Sequence, residues 1–375
     1  MTKTLRKQEG GLIILSIKNR TSIIIDYDDV LANCNSYALE LLSEENGVFY
    51  SMEDITGWGI LGKPVDERFK IFKEKRFYET QPAMARARWF LNELTKRADV
   101  TIVTAVAAEF MGARIERIAK QFPEFPLDHV IMGQRKDRMK ADIMIDDGLH
   151  NLLSSDCTLP ILFDQPWNRE ISGICRVCGY DEILTLVDFV TEQKTEIDLV
   201  PKVICLVGPS GSDKHVLVDA LCSQHPDQFK RIRTLTTSRA NGKNSISVGI
   251  DYFDSLRKSG MLLETTFYGG HQYGTKEADI VTALASGKNA VAVMDISGCM
   301  CVYNKYPGRC KIFYVERDKR DCIMSIISKP GLTREQVTDR IMSIDFEQKN
   351  RVLADHVISS DKSLDEQVDY ICEHI

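Results

Sequence analysis

Two short stretches concentrate residues able to work on a phosphate ester. "DYDD", Asp26 to Asp29, sets three carboxylates just past an apolar run, and "IDDG" adds Asp146 and Asp147 past another. Asp26 and Asp28 are two apart, so they share a face if extended geometry persists. Crowded carboxylates repel one another unless a cation neutralises them. Gathered at strand ends they make a hard oxygen site, whose natural occupant is Mg²⁺. One carboxylate of such a set can attack phosphorus, and a neighbour can protonate the leaving alcohol. The plainer reading of each motif alone is acids that cap strands and open turns.

A third stretch, "GPSGSDKH" (Gly208 to His215), nearly matches the phosphate-binding pattern G-x-x-x-x-G-K-[ST]. In that pattern backbone N–H groups cradle phosphates, the lysine reaches them and the hydroxyl binds Mg²⁺. Gly208, Gly211 and Lys214 are present. Asp213 replaces the second pattern glycine, setting a negative charge against polyphosphate in a place where glycine eases the backbone. His215 replaces the hydroxyl residue and is a poor ligand for an ion that prefers oxygen.

The elements that must position these loops are legible as apolar runs. "SIIIDYDDVLA" and "KVICLVGPSGSDK" are continuous Ile/Val/Leu segments, as expected of parallel strands covered on both faces. Ligands of such sheets sit at the strands' carboxyl ends, where both loops lie. Further short strands are expected at "DVTIVTA", "HVIMG", "ADIMIDD", "LPILFD", "KNAVAVMDI" and "CKIFYVE", with helix patterns such as "ARARWFLNELTKR" between them. Both halves therefore read as α/β. The polar stretch "TEQKTEIDLVPK" reads as a linker.

The chain's 375 residues predict two or three domains. A formal net charge of −6 gives no electrostatic case for binding a nucleic-acid polymer. No secretory signal opens the chain and no apolar run approaches a membrane span, so neither export nor a membrane partner is expected. The 11 cysteines, odd in number and without a repeating frame, suit free thiols in a reducing cytoplasm. "CRVC", Cys175 to Cys178, has metal-knuckle spacing, but no second Cys/His pair follows closely, which favours free thiols over zinc.

Taken in order, "IIIDYDDVL", "TIVTA" and "KDRMKADIMIDD" resemble the haloacid dehalogenase superfamily. "DITGWGI" and "LFDQPWNR" look like its 5'(3')-deoxyribonucleotidase branch, over about Thr21 to Gln193. The resemblance implies Asp26 as nucleophile, Asp28 as acid/base and Thr104 as a hydrogen-bond donor to the phosphoryl group. It also implies a lysine; spacing from "IDD" favours Lys136, with Lys140 the competitor. Mg²⁺ would sit on Asp26, the Asp28 carbonyl and Asp146, with Asp147 nearby. Trp58 and Phe77 would contact a base or belong to the core. The chain departs at "AV" (Ala105, Val106), where the family often has "AR", and at Asp29, often glycine. Neither departure removes a catalytic group.

From Val203 to Ile375, "TLTTSRANG", "GIDYF", "LLETTFYGGHQYGT" and "VMDISG" resemble guanylate kinase. That implies a phosphate loop at Gly208, Ser210, Gly211 and Lys214. Tyr252, Tyr273 and Thr275 would surround a nucleoside monophosphate, with the displaced Arg239 nearby, Glu264 reading guanine, Asp295 at a strand end and Arg340 where a third arginine is expected. The departures fall on catalytic charge: Ser238 stands where the family has arginine, and the lid segment "SIISKPG" offers only Lys329.

The expected architecture is thus α/β in two domains, a haloacid-dehalogenase-like Rossmannoid parallel sheet at 21–193 and a P-loop guanylate-kinase-like parallel sheet at 202–375. An extension at 1–20 and a linker at 194–201 complete it. The expected chemistry is Mg²⁺-dependent hydrolysis of 5'-(deoxy)nucleoside monophosphates, with ATP, GMP or GTP as ligands of a second half that transfers phosphate weakly or not at all. An active kinase half and a non-catalytic nucleotide-sensing scaffold are the alternatives. Self-association is left open.

Overall fold

The computed structural model describes residues 6–8, 11–13, 20–171, 173–191, 199–239 and 243–375. Strands β1 (Arg6–Gln8) and β2 (Gly11–Ile13) form a small antiparallel hairpin. They and Arg20 are the described part of the expected 1–20 extension, and Leu199–Pro201 are the described part of the expected linker; the rest of both lies outside the described residues.

Isoleucine-rich runs decide where the first sheet lies. β3 (Ser22–Asp26), β4 (Asp99–Thr104), β5 (Val130–Met132), β6 (Lys140–Asp146), β7 (Asp156–Phe163) and β8 (Cys175–Val177) are ordered β5-β4-β3-β6-β7-β8, and every pair is parallel. Ile23 and Ile25 point one way and Ile24 the other, and all three are buried, as a strand covered on both faces requires. The covering helices follow the 3.6-residue period: Ala87, Phe90, Leu91 and Leu94 are the buried positions of the helix Ala87–Arg97. The chain leaves β3 toward β4 on one side and returns to β6 on the other, which puts a crevice at their carboxyl ends.

The second half holds β9 (Val203–Val207), β10 (Phe229–Arg231), β11 (Thr234–Thr236), β12 (Ser245–Ser247), β13 (Leu262–Tyr268), β14 (His271–Lys276), β15 (Asn289–Val293), β16 (Cys310–Glu316) and β17 (His356–Ser359). Five of them form the expected parallel sheet, in the order β10-β15-β9-β16-β17. The other four make a separate sheet, β12-β11-β14-β13, in which β11, β14 and β13 pair antiparallel. Apolar runs do not announce this second sheet, because its short strands are half exposed and rich in Thr, Ser and Tyr.

One apolar core runs through both halves. Ile183, Leu184, Val187 and Phe189 of the helix Tyr180–Val190 share it with Cys299 and Val302 of the helix Ile296–Lys305. The Phe189 and Tyr303 rings meet edge to face at 5.2 Å. Cys175, of the "CRVC" pair, lies in this core, whereas Cys178 is exposed. The helix Arg334–Lys349 closes on the first half at Gly173, where a Cβ would stand 2.7 Å from that of Ser343 and φ is +83°. Glycine alone fits that approach and that backbone without strain. Lys349 and Asn350 then donate to the carbonyls of Cys157 and Gly173 at 2.8 and 3.2 Å.

Candidate active site

Asp26 ends β3 and Asp146 ends β6, so two neighbouring parallel strands deliver two buried carboxylates to one crevice. Lys136 enters from the turn before β6, and its Nζ stands 2.7 Å from Oδ2 of each. Carboxylate oxygens of Asp26, Asp146 and Asp147 lie within 4.8 Å of one another. Burial pushes Asp26 up to about 7, with Lys136 opposing and Asp146 and Asp28 adding. Burial likewise lifts Asp147 well above the usual carboxylate range, with Asp146 the next cause. Burial works against the Lys136 ammonium, but Asp26 and Asp146 outweigh it and hold it charged.

That is more negative charge than one lysine neutralises. The donor set is all oxygen, buried and convergent, and it fits a hard divalent cation such as Mg²⁺. The remaining lone pairs are oriented by the protein. Asp146 Oδ1 accepts from the Gly148 N–H and from Asn151 at 2.8 and 2.9 Å, and Asp147 Oδ2 accepts from the Trp167 indole at 3.1 Å. Such outer partners fix the ligands' directions.

The strand ends at Asp26, so the extended geometry does not persist to Asp28. The chain instead turns tightly: Leu31 and Ala32 donate to the Tyr27 carbonyl, and Asp29 sits at φ 53°. Asp29 therefore occupies a left-handed site and caps the following helix, accepting from Cys34 and Asn35 at 3.0 Å each. Asp28 accepts from Gln81 and Arg114, and from the Thr104 hydroxyl at 3.3 Å. Lys140, the competitor of Lys136, is a surface residue paired with Asp156.

A cavity of about 430 Å³ opens above these groups. Its polar floor includes Asp26, Asp28, Lys136 and Asp147, and its apolar walls include Trp58, Phe69, Phe72 and Trp167. Trp58 is more than half exposed and packs on His150 at 4.7 Å between ring centroids. Phe77 is buried among Tyr37, Phe72 and Tyr78 and is no part of the wall. Gln81 and Arg114 escape sequence reasoning, because nothing in their spacing ties them to the acid they touch.

The second expected site lies beyond β9. Gly211 has φ +87°, and a Cβ there would meet the Cys322 carbonyl oxygen at 2.6 Å, so the loop needs its glycine. Asp213, at φ 57°, accepts the left-handed conformation without one. Its charge is met by Arg317, which pairs with it and also donates to the Gly211 carbonyl at 2.6 Å. Lys214 folds back onto the carbonyls of Gly208 and Pro209 at 2.6 and 2.9 Å, and burial lowers it to about 8. The Ser210 N–H donates to Glu347 at 2.7 Å. Burial, then Lys214, lowers His215 to about 4, leaving a neutral imidazole where the pattern has a hydroxyl.

Glu264 and Thr275 pair across β13 and β14, and Asp295 caps the helix Ile296–Lys305 by accepting from Gly298 at 2.7 Å. Burial, with Asp295 adding, pushes Glu264 up to about 8. Tyr252 is 53% exposed, Tyr273 lies on β14 near Tyr268, Arg340 stacks on the Tyr268 ring at 5.0 Å, and Arg239 is exposed.

Comparison with known proteins divides the chain in the same place. The family described as 5' nucleotidase, deoxy (pyrimidine), cytosolic type C matches residues 20–194, and the guanylate kinase family matches residues 200–375. A 5'(3')-deoxyribonucleotidase of Bacillus subtilis (strain 168) is 31% identical over 165 residues, 43% of this chain and 95% of that protein. One of Bacillus phage SPbeta gives the same figures. A guanylate kinase of Chlamydia caviae is 36% identical over 114 residues, 28% of this chain; the match spans 55% of that enzyme's length. Among solved structures, a guanylate kinase from Anaplasma phagocytophilum covers 48% of this chain and 86% of its own, at 16% identity and a TM-score of 0.37. A haloacid dehalogenase-like hydrolase from Burkholderia xenovorans covers 44% of this chain and 95% of its own, at 14% identity and 0.29.

Proposed function

Because residues 20–194 make this chain a member of the cytosolic type C 5' nucleotidase family, followed by a guanylate kinase domain at 200–375, we propose that it is a Mg²⁺-dependent phosphatase of 5'-(deoxy)nucleoside monophosphates. The second domain binds a guanine nucleotide and transfers phosphate weakly or not at all. The observation that carries the first part is Lys136, held 2.7 Å from both Asp26 and Asp146 at the floor of an aromatic-walled cavity.

In this reading an Asp26 oxygen attacks phosphorus, and the bond from phosphorus to the 5' oxygen breaks. Asp28 gives its proton to that departing oxygen. Water then attacks the aspartyl-phosphate, Asp28 takes its proton, inorganic phosphate leaves and Asp26 is regenerated. Lys136 keeps the nucleophile oriented and offsets charge on the phosphoryl oxygens. The hydroxyl of Thr104, now on Asp28, is placed to turn to a phosphoryl oxygen. Asp26, Asp146 and Asp147, with the Asp28 carbonyl as the family resemblance implies, would hold a divalent cation, which would supply Lewis-acid stabilisation of the same charge. The aromatic walls offer a stacking surface for a nucleobase.

In the second domain, the neutral His215 and the Asp213–Arg317 pair replace groups that serve the triphosphate. Glu264, Thr275 and Asp295, on the monophosphate side, stand together. Among the described residues no helix is long and apolar enough to cross a membrane. The free thiols suit a reducing cytoplasm. The deciding experiment is phosphate release from a panel of nucleoside monophosphates with Mg²⁺, run beside an ATP-plus-GMP transfer assay. Asp26→Asn should drop release to background. Release from the starting protein no greater than from this variant would overturn the hydrolase reading.

A further inference from the structure

Arg114 is almost wholly buried, yet none of its bonds serves the fold's own backbone. It rises from the helix Met111–Gln121 and grips Asp28 with both arms, Nη1 to Oδ1 at 3.0 Å and Nη2 to Oδ2 at 3.1 Å. Its guanidinium lies on the Tyr27 ring at 4.5 Å and the Tyr78 ring at 5.0 Å. Gln81 closes the third side, accepting from Arg114 Nη1 at 2.8 Å and donating to Asp28 Oδ1 at 2.9 Å. Among the described residues the Arg114 Nε–H has no hydrogen-bond partner. A buried guanidinium with an orphaned donor is an expensive way to fill space; an apolar side chain of that size would do so at less cost. The arrangement is explained by where the fork points.

We infer that Arg114, with Gln81, is the positioning residue that presents Asp28 to the leaving oxygen of the substrate. This rests on the hydrolase reading above and adds to it the group that sets the acid's geometry. Of the donors on Asp28, the Thr104 hydroxyl is the longest, at 3.3 Å to Oδ2. It is also the one a phosphoryl oxygen competes for. When the phosphate takes it, Oδ2 keeps only the Arg114 Nη2 donor, while Oδ1 stays tied to Gln81 and Arg114 Nη1. The tether also stops Asp28 from swinging toward the acids around Lys136. In the first step the proton on Asp28 passes to the 5' oxygen as its bond to phosphorus breaks, and Asp28 returns to the carboxylate that Arg114 holds.

The test exploits leaving groups. A nucleoside 5' oxygen needs a proton to depart, whereas p-nitrophenolate does not, and kcat/KM reports the step in which either is released. Arg114→Met should lower kcat/KM for a deoxynucleoside 5'-monophosphate on the order of 100-fold, the low end for general-acid catalysis. It should lower that for p-nitrophenyl phosphate only a few-fold. Arg114→Lys, which keeps one charged donor, should recover part of the loss on the nucleotide. Gln81→Leu, which leaves the buried cation paired, should show the same selectivity at smaller size and serves if Arg114→Met does not fold. Equal losses on both esters in the folded variants overturn the inference and leave the hydrolase reading standing. A starting protein that hydrolyses neither ester overturns both.

Discussion

The Ser297 hydroxyl accepts a hydrogen bond from the backbone N–H of Arg176 at 3.0 Å, and that bond joins the two halves of the chain. Ser297 follows Asp295 by two residues, on the helix that Asp295 caps. Arg176, on β8, donates to the Asn168 side chain and carbonyl at 2.6 and 2.7 Å. Asn168 in turn donates to the Asp147 carbonyl at 2.9 Å. A contiguous chain of bonds thus runs from the helix Ile296–Lys305 of one domain to the acid cluster of the other. Such a chain is a route; only a rate shows that energy travels along it. GMP or GTP at saturation is expected to change deoxynucleotide hydrolysis about 5-fold or more, the low end of allosteric coupling, and Ser297→Ala to shrink that response. Unchanged hydrolysis at ligand saturation sinks the coupling.

If the acid cluster holds a metal ion, its buried carboxylates make that binding pH-dependent. Asp26 is pushed from 3.8 up to about 7 by burial, and Asp147 is raised for the same reason. The folded protein therefore keeps protons that the unfolded chain gives up, so the ion-free protein loses stability as pH rises through that window. A divalent cation replaces those protons, and its stabilising effect should be larger at pH 8 than at pH 6. Melting curves with and without Mg²⁺ at the two values check this, each kcal/mol of linkage moving Tm by roughly 2–4 °C. Asp146→Asn should remove most of the shift. A Mg²⁺ shift that is the same at both pH values contradicts the account.

How much of this was legible in the sequence depended on range. Asp26 and Asp146 could be read because each sits at the end of an apolar run, and strand ends of a parallel sheet converge; a lysine was expected only through the family resemblance, with Lys140 left open beside Lys136. Arg114 and Gln81 could not, since they reach Asp28 from 86 and 53 residues away and carry no local signal. The Asp213 substitution was visible, but its partner Arg317, 104 residues on, appears only when β9 and β16 lie side by side. Phe77 shows the reverse failure: an aromatic residue near a site is as compatible with core as with base contact, and packing against Tyr37 and Phe72 decides it.

Glu264 gives the second domain its own pH signature. Burial, aided by Asp295, raises it from 4.5 to about 8, so near neutrality the free protein holds it protonated. If it accepts hydrogen bonds from a guanine edge as a carboxylate, binding releases that proton. Affinity for GMP should then rise by nearly tenfold per pH unit below 8 and level off above. Calorimetry at several pH values, in buffers of different ionisation enthalpy, reads both the affinity and the released proton. Glu264→Gln should bind weakly with no pH dependence. A GMP affinity in the starting protein that is flat between pH 6.5 and 8.5 rules the carboxylate out as the base's acceptor.

The shared core predicts that the two halves unfold together. Ile183, Val187, Phe189, Cys299 and Val302 are buried in one cluster that spans both. Fully burying a side chain of the Val/Leu/Phe class contributes about 1.5–3 kcal/mol, so separating the halves would expose several times that amount. This is a large share of a typical domain's stability of about 5–15 kcal/mol. Scanning calorimetry of the whole chain should show one transition, and Phe189→Ala, which empties the socket against Tyr303, should lower it by roughly 3–5 kcal/mol. Gly173→Val, at the 2.7 Å approach to Ser343, should split the transition in two by forcing the helix Arg334–Lys349 off the first half. Two transitions already present in the starting protein would show that the interface does not couple the halves, and would remove the structural basis for any signal passing through Ser297 and Arg176.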